Sequence, residues 1–135
     1  MGDSRPGAVR LLVTGHDGDG RATVAEDRPV EATVLPSGTM LHRLWGGDTA
    51  PAFRFSLWTV PAAYSSPVHV TPTVDCGILL SGELWLELES GVEQHLRSGT
   101  AFVQNGTRHA WHNRGDQPAV VALFIAAADS ADLPI

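Results

Sequence analysis

Two histidines, a carboxylate and an indole stand in this chain at spacings that suit a metal centre. The stretch Pro67 to Asp75 places His69, Thr71 and Asp75 at one parity, and Arg108 to Asn113 does the same for His109, Trp111 and Asn113. Side chains of a strand alternate faces, so each set points one way if its stretch is extended. Two imidazoles and a carboxylate converging in a cup can hold a divalent transition ion, with positions left open for water, substrate or oxygen. His69, Asp75 and His109 are thus the candidate metal ligands and the candidate catalytic residues. The alternative is a cup in which both histidines are hydrogen-bonded pocket residues. Thr71 can hold a bound water or a substrate oxygen, or simply fill space. Trp111 is the first candidate for a substrate-binding wall. Trp58 is a further one, and so is His42, whose strand can face the pocket with either parity. His112 has the opposite parity to His109 and should face outward, while His95 belongs to a charged hairpin.

The elements that must position these groups read as strands. Ser-Gly steps at Ser37, Ser81, Ser90 and Ser98, and the run Asp17-Gly-Asp-Gly20, mark hairpin turns. Between them lie segments rich in Val, Leu, Phe, Trp and Thr: Val9–Thr14, Arg21–Ala25, Met40–Trp45, Ala52–Val60 and Pro67–Thr71. The series continues with Val74–Leu80, Glu83–Glu89, Glu93–Leu96, Ala101–Gln104, Arg108–Asn113 and Ala119–Ala127. Such short, evenly spaced strands without helical periodicity predict an all-β barrel or sandwich. Only Ala126–Ala131 invites a helical turn. Glu83–Glu89 alternates leucine with polar residues, the pattern of a half-solvated antiparallel strand. Residues 9–25 are expected to form an extra N-terminal hairpin covering a sheet edge, on this subunit or a partner. Arg28-Pro29 and Leu35–Gly38 are expected connectors. The Thr14–Gly20 loop lacks the P-loop lysine and the EF-hand spacing, so it is read as a solvated turn.

The chain resembles the cupins at these residues. That family's first motif runs G-x5-H-x-H-x3,4-E-x6-G, and His69, Asp75 and Gly82 fall on its first histidine, its acid and its closing glycine. Its second motif, G-x5-P-x-G-x2-H-x3-N, is met by Gly99, Gly106, His109 and Asn113 with one residue fewer after the opening glycine. Thr71 replaces the second histidine and Gln104 the proline, and the opening glycine of the first motif is missing. The resemblance implies a single-domain antiparallel β-barrel of the cupin or jelly-roll type spanning 1–135, with the core barrel over about 40–127. It also implies one divalent transition metal (iron, manganese, zinc or nickel), a small-molecule substrate and a homodimer.

Composition narrows the classes further. The 135 residues, 43% hydrophobic and 18% charged, describe one ordinary globular domain. A net charge of -6 argues against nucleic acid or an anionic membrane as partner. All nine cationic residues are arginine, which excludes Schiff-base and lysine-nucleophile chemistry. The lone Cys76 excludes an intrachain disulfide and reads as a structural thiol facing away from Asp75. With no apolar leader or membrane-length run visible, the expected location is cytoplasmic.

Three functions stay open. The first is a metal-dependent decarboxylase, isomerase or lyase acting on a small organic acid or carbonyl compound, with specialised metabolism as its setting. The second is a non-haem iron dioxygenase. The third is a non-catalytic small-molecule binder. Fold alone does not choose between them.

Overall fold

A computed structural model describes residues 7–49, 51–89 and 91–134, the side chain of Thr14 aside. Among the described residues there are twelve strands and one short 3-10 turn at Ser130–Asp132. In chain order the strands are β1 Val9–His16, β2 Ala22–Val30, β3 Thr33–Val34, β4 Met40–Gly47, β5 Ala52–Val60 and β6 Tyr64–Ser65. They continue as β7 Val74–Ser81, β8 Glu83–Leu88, β9 Glu93–Arg97, β10 Ala101–Asn105, β11 His109–Asn113 and β12 Ala119–Ala127. No described helix is long and apolar enough to cross a membrane.

The strands build two antiparallel sheets, ordered β10-β7-β12-β5-β4-β3 and β6-β11-β8-β9. Their inner faces supply the core of Val60, Leu79, Leu84, Leu96, Trp111, Ala119 and Val121. The alternation in β8 does this directly. Leu84 is fully buried, while Trp85 and Glu87 lie on the outer face beside His95 and His112. The Ser81-Gly82 step joins β7 to β8, with Gly82 at φ +80° and an added Cβ there 2.5 Å from the Pro118 carbonyl oxygen. Only glycine fits both the backbone conformation and that close approach.

Several expectations are corrected. Pro67–Thr71 is not a strand; it touches the sheet through one bridge, His69 to His109. Pro67 and Pro72 have no N–H to give a ladder, so pairing cannot extend. Arg28-Pro29 is not a connector but part of β2, where Pro29 faces Arg10 of β1. Within this chain the N-terminal hairpin pairs with neither of the larger sheets: among the described residues β1 and β2 pair with each other in a sheet of their own. Its root lies over the outer face of β4, where His42 Nε2 is 2.8 Å from the Gly7 carbonyl oxygen.

Candidate functional site

Between the two sheets lies a cavity of about 300 Å³. His69, Thr71 and Asp75 line it from one side of the chain, His109 and Trp111 from β11, and Trp58 from β5. The grouping anticipated from parity is therefore brought together, although Thr71 and His69 reach it from an irregular segment. His42 is the exception. It pairs with Leu57 across β4 and β5, whereas its neighbour Leu41 pairs with Trp58, so His42 points out of the other side of the sheet. It is 1% exposed beneath the hairpin root and is not a lining residue, so it is not a substrate contact.

The two lining histidines face each other, with ring centroids 4.4 Å apart at 57°. His69 Nδ1 lies 2.9 Å from the Pro67 carbonyl oxygen and His109 Nδ1 lies 2.8 Å from that of Thr107. A carbonyl can only accept, so in the neutral ring each Nδ1 carries the proton and each Nε2 keeps its lone pair. Neither Nε2 has a hydrogen-bond partner among the described residues. Burial holds the His109 imidazole below the ordinary histidine range. His69 pushes the same way, while the Thr107 carbonyl and Asp75 oppose it.

Asp75 is anchored separately. Thr73 Oγ1 donates to Asp75 Oδ1 at 2.7 Å and lies 2.9 Å from Thr71 Oγ1, which links three side chains into a polar chain along one wall. The opposite walls are aromatic. Trp58 and Trp111 meet edge-on at 6.0 Å, and Phe102 leans against Trp111 at 5.1 Å. No arginine is among the described residues lining the cavity. Leu35, Ser37, Thr39 and Pro134 also line it, from segments far away in sequence.

Whether these groups fit a divalent ion can be tested on their donors. Metal-bound histidines normally donate the other ring N–H to a carbonyl or carboxylate, and both histidines here do so. The pair fits. The expected third ligand does not join it as placed. Among the described residues, the group whose ligand atoms all lie within 4.8 Å of one another is Glu87, Glu93 and His112, on the outer face of the four-stranded sheet. That outer group was not anticipated as a ligand set. It is engaged already: His112 Nε2 lies 2.8 Å from Glu87 Oε1, His112 Nδ1 lies 2.8 Å from Ser65 Oγ, and Arg114 pairs with Glu93.

Two motif positions prove to be scaffolding. Asn113 is fully buried; its amide donates to the carbonyls of Val60 and Gln117, and its oxygen accepts from Gly115 N–H. Gln104, where the motif has proline, is buried and accepts from the Thr107 hydroxyl in the turn that carries His109.

The cupin-domain family model matches residues 56–126. The chain belongs to the cupins. Oryzines biosynthesis cluster protein J of Aspergillus oryzae is 43% identical to this cupin over 58 residues, covering 43% of this chain and 32% of that protein. A cupin-domain-containing oxidoreductase of Hypocrea virens is 42% identical over 48 residues, covering 36% of this chain and 25% of its own length. This cupin thus spans a third or less of both relatives. Among solved structures, the polyketide cyclase RemF from Streptomyces resistomycificus shares the fold with a TM-score of 0.63 at 21% identity. That likeness covers 74% of this chain and 75% of RemF.

Proposed function

We propose that this cupin is an enzyme of specialised metabolism that carries out a redox-neutral decarboxylase, isomerase or other lyase-type step on a small carbonyl compound. The observation that carries the reading is the facing pair His69 and His109, each with Nδ1 tied to a carbonyl and Nε2 free toward the cavity. In this reading His69 and His109 would hold a divalent transition ion through their Nε2 atoms, and the ion would supply Lewis acidity toward a substrate oxygen. Asp75 is then a proton acceptor beside the pair instead of a ligand, with Thr73 fixing its Oδ1 and Thr71 continuing the polar chain. Trp58, Phe102 and Trp111 exclude water and orient a flat or acyl substrate. Without an arginine in the lining, a carbonyl or enol suits the cavity better than a di- or tri-acid does. The setting is supported by relatives named for the oryzines and phomopsin biosynthesis clusters.

The runner-up is a non-haem iron oxygenase, favoured by the relative named an oxidoreductase. One experiment separates the two. Purified protein supplied with zinc, manganese or ferrous iron is incubated anaerobically in D₂O with enolisable ketones and β-keto acids. Deuterium uptake at the α-carbon or release of carbon dioxide without oxygen is the expected result. Turnover that requires both iron and oxygen hands the case to the oxygenase.

A further inference from the structure

The cavity has a second polar end, away from the histidines. Register sets out its length along β11: His69 bridges His109, Ser66 pairs with Trp111, and Tyr64 pairs with Asn113. His69, Ser66 and Tyr64 all line the cavity, so they stand in file with the histidines at one end and Tyr64 at the other. The facing sheet keeps the same order. Asp75 pairs with Gln104, which accepts from Thr107 in the turn carrying His109. Trp58 and Phe102 meet Trp111, and the Val60 carbonyl accepts from Asn113. Thr39 comes just before Met40, the partner of Thr59, and so stands at the level of Val60. The slot therefore runs from imidazoles and a carboxylate, through an aromatic waist, to a group of hydroxyls.

Those hydroxyls have hydrogen-bonding capacity to spare. The Tyr64 ring packs against the core, while its hydroxyl has no hydrogen-bond partner among the described residues. Ser66 Oγ accepts from the Trp111 N–H at 2.9 Å, which leaves its own proton to donate. Ser37 Oγ and Thr39 Oγ1 lie 2.8 Å apart, and that one bond uses only one of their two protons. A sheltered hydroxyl facing an apolar ligand loses its water without replacement, so such a site favours ligands that supply a partner. No arginine is among the described lining residues, so the partner that suits this end is a neutral oxygen, not a carboxylate or phosphate.

We propose that the substrate is an aryl carbonyl compound with a hydroxyl para to the carbonyl-bearing carbon. Its carbonyl points to His69 and His109, its ring lies among Trp58, Phe102 and Trp111, and Ser66 and Tyr64 hold its hydroxyl. Spacing supports the para position. Two residues of a strand span about 7 Å, so Ser66 stands about one such step along β11 from the histidine pair. A benzene ring with oxygen functions at opposite ends bridges a gap of that size, and the aromatic side chains flank the gap itself. The inference rests on the function proposed above only for which end of the substrate meets the chemistry.

Calorimetric titration of the purified protein with 4-hydroxyacetophenone and with acetophenone tests this. The hydroxylated ketone should bind about 10-fold more tightly, the worth of one or two hydrogen bonds. Tyr64→Phe should shrink that advantage, and Tyr64→Phe combined with Ser66→Ala should abolish it, whereas Ser66→Thr should keep it. Melting curves establish that the variants fold. Should the double variant not fold, Tyr64→Phe alone decides, since it removes one oxygen and leaves the packed ring in place. Equal affinity for the two ketones in wild type, or an advantage undiminished in Tyr64→Phe, would overturn the proposal. Binding preference does not depend on the reaction, so the two readings fail separately. Anaerobic turnover of β-keto acids without the para preference removes this inference alone. The para preference in a protein that turns over only with iron and oxygen removes the redox-neutral reaction alone.

Discussion

His109 and His112 sit three residues apart on one strand and behave as opposites. His109 faces its partner His69 across the cavity with Nε2 left free, whereas His112 is held at both nitrogens, by Ser65 and Glu87. By the spacing of donor atoms alone, the outer group with Glu87 and Glu93 is the tighter set. An ion there would have to displace Arg114 from Glu93 and break the bond between His112 and Glu87. The Arg114–Glu93 pair is exposed and adds little to stability, and the half-buried His112 has both ring nitrogens already engaged. Donor capacity left over in a sheltered cavity is the better sign of function than donor crowding on a surface.

The largest effect should come from the inner pair. His69→Ala or His109→Ala is expected to lower kcat/KM by about 100-fold or more, since losing even an outer partner of a metal ligand costs that order. Melting curves would verify that the fold survives. Thr73→Val should come next. It frees Asp75 Oδ1 while keeping the side-chain shape, and a loss of about 10- to 100-fold in kcat is expected, with Thr73→Ser close to wild type. Equal kcat in Thr73→Val and wild type would remove Asp75 from the chemistry.

A smaller effect follows from pH. Burial keeps the folded His109 below the unfolded imidazole value of about 6.5, so on acidification the unfolded chain takes up this proton first. The stability that neutral His109 contributes is present above about 6.5 and is lost as pH falls from there through the folded value. Urea midpoints measured with and without His109→Ala should therefore diverge less at low pH than at neutral pH. The smallest effect belongs to the outer face. His112→Ala should leave turnover unchanged and cost about 1–2 kcal/mol of stability, since it removes two hydrogen bonds of a half-buried ring. Should it behave like His109→Ala, the two faces have been assigned wrongly.

Local pattern carried much of this fold. β5 and β12 run over the segments anticipated, because each is a hydrophobic stretch bounded by prolines or turn residues. The inward aim of Asp75 and Trp111, and the outward aim of Cys76 and His112, follow from the period of two. His42 was not legible in that way, since periodicity says that two faces exist but not which one meets the cavity; its pairing with Leu57 decides it. Thr73 is legible in the same way, since it shares the parity of Asp75 two residues away. Ser37, Ser66 and Pro134 reach the cavity from connecting segments and the C-terminal segment, and Tyr64 from the two-residue β6, so their position is a matter of tertiary packing. Pro67–Thr71 looked extended because it is apolar and β-branched, but its prolines deny it a ladder.

Zinc titration of three proteins tests the central claim most directly: wild type, His109→Ala, and the combined Glu87→Gln, Glu93→Gln, His112→Ala variant. Calorimetry should show one site per chain in wild type, the same site with nearly unchanged affinity when the outer group is removed, and no site when His109 is lost. Binding that survives in His109→Ala and vanishes with the outer group would contradict the account.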